Sequence, residues 1–195
     1  MKKHLFLTGP SGFGKSTIIR QVLGERLSMA GGFVTERVTD REGRLLGFDL
    51  YPAAHAGGVE GFQPLRFMDY SVTPPTTDNE VFRGPGVQIL QEAEYYPFSV
   101  IDEFGGFELL IPQFRSALSD FLSGEQPCIG VLKEPGNAEE LRRRFGLGEK
   151  YTLYVQRLRE ALEADEDTAI ITLKERGDRT ARRIVEQWAR EYAGD

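Results

Sequence analysis

Short apolar runs alternate with segments of helical periodicity along most of the 195-residue chain. Apolar residues that recur every three or four positions predict amphipathic helices, and compact apolar runs bounded by turn residues predict buried strands. The predicted strands cover residues 5–7, 98–101, 128–132 and 169–173. The predicted helices cover residues 18–27, 86–94, 111–122, 138–145, 151–164 and 179–192. Because helices that follow strands imply parallel pairing, we expect an α/β fold with a mostly parallel central sheet flanked by helices.

Two regions interrupt this alternation. Residues 33–38 and 45–51 are β-rich and flank polar turn residues at 40–44, which predicts an antiparallel hairpin directly after the first helix. Residues 52–85 lose a clear period and gather Gly, Pro and Thr. We expect a long loop or mobile segment there, with residues 65–68 as a candidate short strand.

The stretch from Gly9 to Thr17 carries the most specific chemical signal in the chain. It reads Gly-Pro-Ser-Gly-Phe-Gly-Lys-Ser-Thr and matches the phosphate-binding motif G-x-x-x-x-G-K-[ST], the P-loop, at every fixed position. Glycines let successive backbone N–H groups turn towards a phosphate, and the helix that follows directs its positive dipole end at the same place. The predicted nucleotide-binding residues are Gly9, Pro10, Ser11, Gly12, Phe13, Gly14, Lys15, Ser16 and Thr17.

Within this loop we predict separate roles for two side chains. Lys15 would reach the β- and γ-phosphates and is therefore a predicted catalytic residue. Ser16 would give its hydroxyl to a magnesium ion bound with the nucleotide, and Thr17 is the weaker candidate for that contact. A buried strand before the motif and a helix after it are the flanks that a P-loop requires. We therefore predict a three-layer P-loop NTPase fold, with residues 1–195 as a single domain.

An acidic pair follows the predicted strand 98–101. Asp102 lies where P-loop proteins hold magnesium, usually through water, so it is a predicted metal ligand. Glu103 is placed to orient or deprotonate an attacking water, so it is a predicted catalytic residue. Glu108 could also approach the site, although a carboxylate at a helix start explains it better. For Glu36 on the hairpin, a polar strand face is favoured over a water or metal contact.

Phosphoryl transfer also needs cations, and an arginine can supplement the P-loop lysine. The candidates are Arg83, Arg142, Arg143, Arg144, Arg176 and Arg179. The 142–144 trio is interleaved with Glu139 and Glu140, which favours a solvated helix face over a catalytic role. The sequence gives no reason to prefer any one of them.

Composition narrows the chemistry further. The formal net charge of −6 gives no support to nucleic-acid binding as the main role. Cys128 is the single cysteine and lies in an apolar run, so a core position is expected and no disulfide can form within the chain. His4 and His55 are the only histidines, which argues against a zinc site and leaves Mg²⁺ as the expected cofactor.

The chain shows no targeting or assembly signal. No apolar stretch approaches the roughly 20 residues that a membrane-spanning helix needs, and residues 1–4 run directly into a predicted strand instead of a signal-peptide core. We therefore predict a cytoplasmic protein without membrane contact. No coiled-coil heptad is visible, so a monomer is the default expectation, and any protein partner is unknown.

The chain resembles the THEP1-like nucleoside-triphosphatases, a small P-loop family. The resemblance rests on residues 6–17, on the hairpin segments 32–36 and 47–48, and on the run 100–109, which is similar to the family's D-E-[I]-G-x-M-E-L block. These segments occur in the family's order and spacing.

The resemblance implies slow hydrolysis of ATP, GTP and other nucleoside triphosphates to the diphosphate and phosphate. By position, it assigns phosphate binding to residues 9–16, magnesium to Asp102 and the attacking water to Glu103.

Two rival functions stay open. A P-loop kinase would use the same loop but direct the phosphoryl group to a second substrate, which residues 52–85 and the arginine-rich helix at 139–144 could enclose. A nucleotide-controlled binding module would expose a partner surface, for which Phe62, Phe67 and Tyr70 are the expected exposed aromatic residues.

Overall fold

The computed structural model describes residues 1–56 and 63–194. Within these residues the strands are β1 (His4–Thr8), β2 (Ala30–Thr39), β3 (Leu45–Pro52), β4 (Leu65–Asp69), β5 (Thr76–Thr77), β6 (Phe98–Phe104), β7 (Cys128–Leu132) and β8 (Thr168–Thr172). The helices are α1 (Lys15–Leu23), α2 (Asn79–Val81), α3 (Val87–Glu92), α4 (Pro112–Leu122), α5 (Pro135–Phe145), α6 (Glu149–Ala164) and α7 (Arg179–Tyr192). Shorter 3₁₀ turns lie at Gly24–Met29, Ala53–His55, Ala93–Tyr95 and Phe107–Leu110.

All described strands join one sheet in the order β5-β4-β3-β2-β6-β7-β1-β8. The five strands from β2 to β8 in this order pair in parallel, and β3, β4 and β5 extend the sheet by antiparallel pairing. The mostly parallel sheet and the hairpin after the first helix are therefore confirmed. The order places β7 between β1 and β6, so the strand that precedes the P-loop and the strand that carries the acidic pair are not neighbours.

Helices cover both faces of the sheet because alternate strand residues point in opposite directions. Leu5 and Leu7 belong to a core cluster with residues of α1 and α7, including the fully buried Trp188. Phe6 belongs to a second cluster with residues of α3, α4 and α6, including Phe114. The result is the predicted three-layer arrangement, and Cys128 is buried in the second cluster as expected.

The expectation of a long loop at 52–85 is wrong for the described part of that segment. The candidate short strand at 65–68 is confirmed, since residues 65–69 form β4, which pairs with β3. A π-helical turn at Phe82–Gly86 leads into α3. Phe67 is buried and Tyr70 is half-buried, because both pack onto the second core cluster. Strands this short have too few residues to show a period. Phe62 and the rest of 57–62 lie outside the described residues.

The remaining boundaries shift by a few residues. The first helix ends at Leu23 and continues as the 3₁₀ turn Gly24–Met29, and the helix predicted at 86–94 becomes α3 followed by another 3₁₀ turn. Among the helices in the described ranges, none is long and apolar enough to cross a bilayer.

Candidate phosphate-binding and catalytic site

The loop between β1 and α1 has backbone conformations that only glycine adopts readily. Gly9, Gly12 and Gly14 have φ angles of 129°, 81° and 88°. A Cβ on Gly9 would also lie 3.1 Å from the carbonyl oxygen of Leu173 on the neighbouring segment. Gly14 precedes α1 without a side-chain cap, so the first N–H groups of the helix have no capping side chain and can bind an anion.

The Lys15 ammonium is turned back onto the loop. Its Nζ donates to the carbonyl oxygens of Gly9, at 2.7 Å, and Pro10, at 3.0 Å. Lys15 is only 7% exposed, and burial lowers the pKa of its ammonium. A triphosphate in the loop would supply the negative charge that this buried cation lacks.

Ser16 and Asp102 meet at the first turn of α1. The Ser16 hydroxyl donates to Asp102 Oδ1 at 2.8 Å. Asp102 is 2% exposed, and burial raises the pKa of its carboxyl to about 6, although the Ser16 hydrogen bond acts in the opposite direction. The second carboxylate oxygen, Oδ2, is buried without a hydrogen-bond partner within the described residues. Two oxygen-bearing side chains, one with an unpartnered buried oxygen, are thus brought together beside the P-loop.

Glu103 is held by an ion pair that the sequence analysis missed. Lys133 Nζ donates to Glu103 Oε2 at 2.8 Å, and the backbone N–H of Glu103 donates to Thr35 Oγ1 at 3.3 Å. Burial alone would lower the pKa of the Lys133 ammonium, but Glu103 and Glu108 outweigh it and the net shift is upward. Lys133 directly follows β7. Its position after a parallel strand was the available signal, because ligands bind at the carboxyl ends of such strands.

Lys15, Ser16, Asp102 and Glu103 line one cavity of about 460 Å³, the phosphate cavity. The predicted site residues that line it are Ser11, Gly12, Gly14, Lys15, Ser16, Thr17, Asp102 and Glu103. The structure also brings Arg20, Thr35, Glu36 and Arg37 to its wall. Arg20 Nη1 lies 2.8 Å from Glu36 Oε1, so Glu36 is an ion-pair partner at the cavity wall.

Three predicted loop residues are outside this lining. Phe13 is partly buried against the first core cluster, and its carbonyl accepts a hydrogen bond from the N–H of Gly177 at 3.1 Å. Gly9 and Pro10 instead offer their carbonyl oxygens to Lys15. These three residues therefore contribute to the conformation of the loop and do not line the phosphate cavity.

Glu108 closes the turn that follows β6. Its Oε1 accepts hydrogen bonds from the N–H groups of Gly105 and Gly106, both at 2.7 Å. The carboxyl is buried at the start of the 3₁₀ turn Phe107–Leu110, and burial raises its pKa. This agrees with the favoured interpretation of Glu108 as a carboxylate at a helix start.

The candidate arginines lie elsewhere. Arg142 pairs with Glu139 at 2.7 Å, as a solvated helix face predicts. Arg144 lies over the ring of Tyr70, 4.7 Å from its centroid. Neither these residues nor Arg83, Arg143, Arg176 and Arg179 line the phosphate cavity. The arginines at that wall are Arg20 and Arg37, which the sequence did not single out.

A family model described as NTPase matches residues 4–165 of the chain. The chain belongs to this family, the THEP1-like NTPases. Among curated members, the cancer-related nucleoside-triphosphatase homolog of Mus musculus is 32% identical over 163 residues, which cover 74% of this chain and 85% of the mouse protein. The nucleoside-triphosphatase THEP1 of Thermococcus kodakarensis is 30% identical over 161 residues, covering 78% and 86%.

A solved THEP1 structure, from Aquifex aeolicus, aligns with 82% of this THEP1-like chain and 99% of its own, at a TM-score of 0.49 and 18% identity. Family membership makes the chain a nucleoside-triphosphatase, and the P-loop with the acidic pair lies inside the matched range. The resemblance stated from the sequence is therefore confirmed.

Proposed function

We propose that this THEP1-like protein hydrolyses ATP, GTP and other nucleoside triphosphates to the diphosphate and phosphate, with Mg²⁺, and that Glu103 activates the water. The observation that carries the proposal is the state of Glu103 at the wall of the phosphate cavity. One carboxylate oxygen is held by Lys133 at 2.8 Å, while the other has no hydrogen bond to the described residues. A fixed carboxylate with one oxygen available is what a general base requires.

The loop supplies charge stabilisation. Its N–H groups and the start of α1 bind the phosphates, and Lys15 exchanges its two loop carbonyls for oxygens of the β- and γ-phosphates. Glu103 takes a proton from water as the water oxygen attacks the γ-phosphorus. The bond from that phosphorus to the β-phosphate oxygen breaks, and the diphosphate and phosphate are the products.

The donor set suits magnesium. Ser16 and Asp102 offer oxygen atoms only, and Asp102 Oδ2 is buried without a partner in the described residues. Hard oxygen ligands beside a phosphate site are typical of Mg²⁺, which keeps several waters and the substrate phosphates as its other ligands. In the described ranges no group of three His, Cys, Asp or Glu side chains could hold a metal, so the nucleotide itself would have to complete the site. When bound, the ion would neutralise charge on the β- and γ-phosphates.

The test is phosphate release by the purified protein with each common nucleoside triphosphate, measured across a magnesium titration. Ser16→Ala should raise the magnesium concentration needed for half-maximal rate, because it removes one oxygen ligand. Thr152→Ala is the control, since it removes an exposed hydroxyl on α6 that does not line the phosphate cavity, and it should leave that concentration unaltered. Equal magnesium dependence of wild type and Ser16→Ala would count against the metal assignment, and no phosphate release from any triphosphate would overturn the proposal.

A further inference from the structure

A second cavity of about 390 Å³ adjoins the phosphate cavity. The two share the residues Ser11, Thr35, Arg37, Phe48, Glu103 and Asn137 in their walls. A single water takes up roughly 30 Å³ of liquid volume, so hydrolysis alone needs only a small part of this space. The volume instead lies within the roughly 300–1,000 Å³ of sites that bind small molecules.

If Glu103 is the base, the second cavity adjoins the side from which the γ-phosphorus would be attacked. Glu103 lines both cavities, whereas Lys133 lines only the second of the two. Lys15, Ser16 and the rest of the α1 side line only the phosphate cavity. The Glu103 carboxylate therefore stands between the phosphates and the second cavity, and a ligand in that cavity would approach the phosphates past the proposed base.

The wall of the second cavity is rich in aromatic rings. Phe67, Phe82 and Phe107 form a cluster with ring centroids 5.1–6.1 Å apart, and Phe48 lies 6.3 Å from Phe67. Tyr70 lines the same wall. Phe67, Phe82 and Phe107 are buried in the second core cluster and form the apolar floor of the cavity, whereas Phe48 and Tyr70 are only half-buried. A partly exposed aromatic ring can bind a flat ligand by stacking or edge contacts.

The helix α5 supplies several polar groups of the wall. Asn137, Glu140 and Arg144 of that helix line the cavity, and Arg144 lies over the Tyr70 ring at 4.7 Å. The Asn137 amide can donate to and accept from the polar edge of a heteroaromatic base, whereas the Glu140 carboxylate can only accept from it. The cavity thus combines a partly exposed aromatic wall, polar edge partners and a carboxylate, Glu103, that it shares with the phosphate cavity.

We propose that this cavity binds a second substrate, which is a nucleoside or a similar molecule with a heteroaromatic ring and a hydroxyl group. The hydroxyl group of this substrate accepts the γ-phosphoryl group. The inference rests on the proposed role of Glu103. The hydroxyl oxygen forms a bond to the γ-phosphorus, the bond to the β-phosphate oxygen breaks, and the hydroxyl proton passes to Glu103. The products are the nucleoside diphosphate and the phosphorylated alcohol. Water would be the acceptor when the cavity is empty.

The experiment follows γ-labelled ATP with adenosine, guanosine, cytidine, uridine and thymidine in turn, and measures the ratio of labelled nucleoside monophosphate to labelled phosphate. This ratio does not depend on how much of a variant is folded. Leu141, on α5, lines the cavity, and Leu141→Trp should fill it. Arg143→Trp is the matched control, because Arg143 is exposed on the same helix and does not line the cavity.

At least one nucleoside should yield its monophosphate, and Leu141→Trp should lower the ratio at least tenfold while Arg143→Trp keeps it. Phosphate release without any nucleoside monophosphate would overturn this inference and leave the hydrolase proposal standing. A ratio unmoved by Leu141→Trp would overturn it too. Transfer to a nucleoside with no transfer to water would support the inference and overturn the hydrolase proposal.

Discussion

Lys133 Nζ and Glu103 Oε2 are 2.8 Å apart, and this ion pair joins the segment after β7 to the carboxyl end of β6. Both side chains are mostly shielded, at 19% and 27% exposure. An ion pair in such a place restricts the Glu103 rotamer, so one oxygen is fixed by the lysine, while the other has no hydrogen bond to the described residues. The ion pair therefore depends on the strand order, because Lys133 reaches Glu103 only when β7 lies next to β6.

Glu103→Gln should separate binding from turnover. The amide keeps the size of the side chain but cannot take a proton, so turnover should fall by about 10²–10⁴. Nucleotide affinity should stay within a few-fold of wild type, because the predicted phosphate-binding groups belong to the loop and are unaltered. Phosphate release and fluorescent-nucleotide titration measure the two quantities. Glu139→Gln, on the exposed face of α5, controls for the loss of one carboxylate, and weaker binding with unaltered turnover would contradict the role of Glu103.

Lys133 should act through the position of Glu103. Lys133→Met removes the ammonium but keeps the aliphatic stem, and kcat should fall roughly tenfold or more because an unpaired base no longer has one fixed orientation. KM should change much less. Lys133→Arg should restore part of kcat, since a guanidinium can also hold a carboxylate. A rise in KM at constant kcat would indicate that Lys133 binds the nucleotide instead.

Lys15→Ala should lose both binding and turnover. The ammonium is the loop's only buried cation in the described structure, and the phosphates would lose its charge. We expect nucleotide affinity to fall at least about tenfold, which corresponds to about 1.4 kcal/mol. Titration with a fluorescent nucleotide tests this. Lys174→Ala, at an exposed lysine after β8, is the control, and retained affinity in Lys15→Ala would be incompatible with the assigned role.

Much of the fold could be predicted because local patterns decide it. The P-loop motif requires a strand, a glycine-rich turn and a helix in fixed succession, and β1, the turn and α1 follow that succession. The hairpin of β2 and β3 was predictable for the same reason. Two separate motifs predicted that Ser16 and Asp102 both bind magnesium, and in the structure the Ser16 hydroxyl lies 2.8 Å from Asp102 Oδ1. That role itself stays a prediction.

The rest depends on contacts between distant segments, which no local pattern contains. In the sequence, Lys133 is simply a lysine that follows an apolar run. Its position beside Glu103 can be inferred only once β7 is known to lie between β1 and β6. The aromatic wall of the second cavity could not be predicted either, because Phe48, Phe82 and Phe107 come from three separate elements. The sequence signal for β4 was also weak, because its five residues are held in a strand by pairing with β3.

His4 should make the folded protein less stable as the pH falls. The ring is 1% exposed and stacks on Phe6, with centroids 6.3 Å apart. Burial lowers the pKa of this imidazole below 6.5, and Lys3 acts in the same direction, while Asp165 and Asp167 oppose them. The unfolded chain therefore binds a proton at a higher pH than the folded protein does. Stability contributed by neutral His4 is complete above pH 6.5 and is lost as the pH falls from there to the lowered pKa.

His4→Phe keeps an aromatic ring on Phe6 and removes the titration. One proton taken up only by the unfolded chain costs at most about 1.4 kcal/mol of stability per pH unit. Below pH 6.5, His4→Phe should therefore become more stable relative to wild type by up to that amount for each pH unit. Urea denaturation of both proteins between pH 7.5 and 5 measures the difference in the free energy of unfolding. Between pH 7 and 7.5 that difference should change little, because His4 is neutral in the folded protein and mostly neutral in the unfolded chain. A difference that stays constant down to pH 5 would mean that His4 takes up its proton equally well in the folded protein, against the effect of its burial.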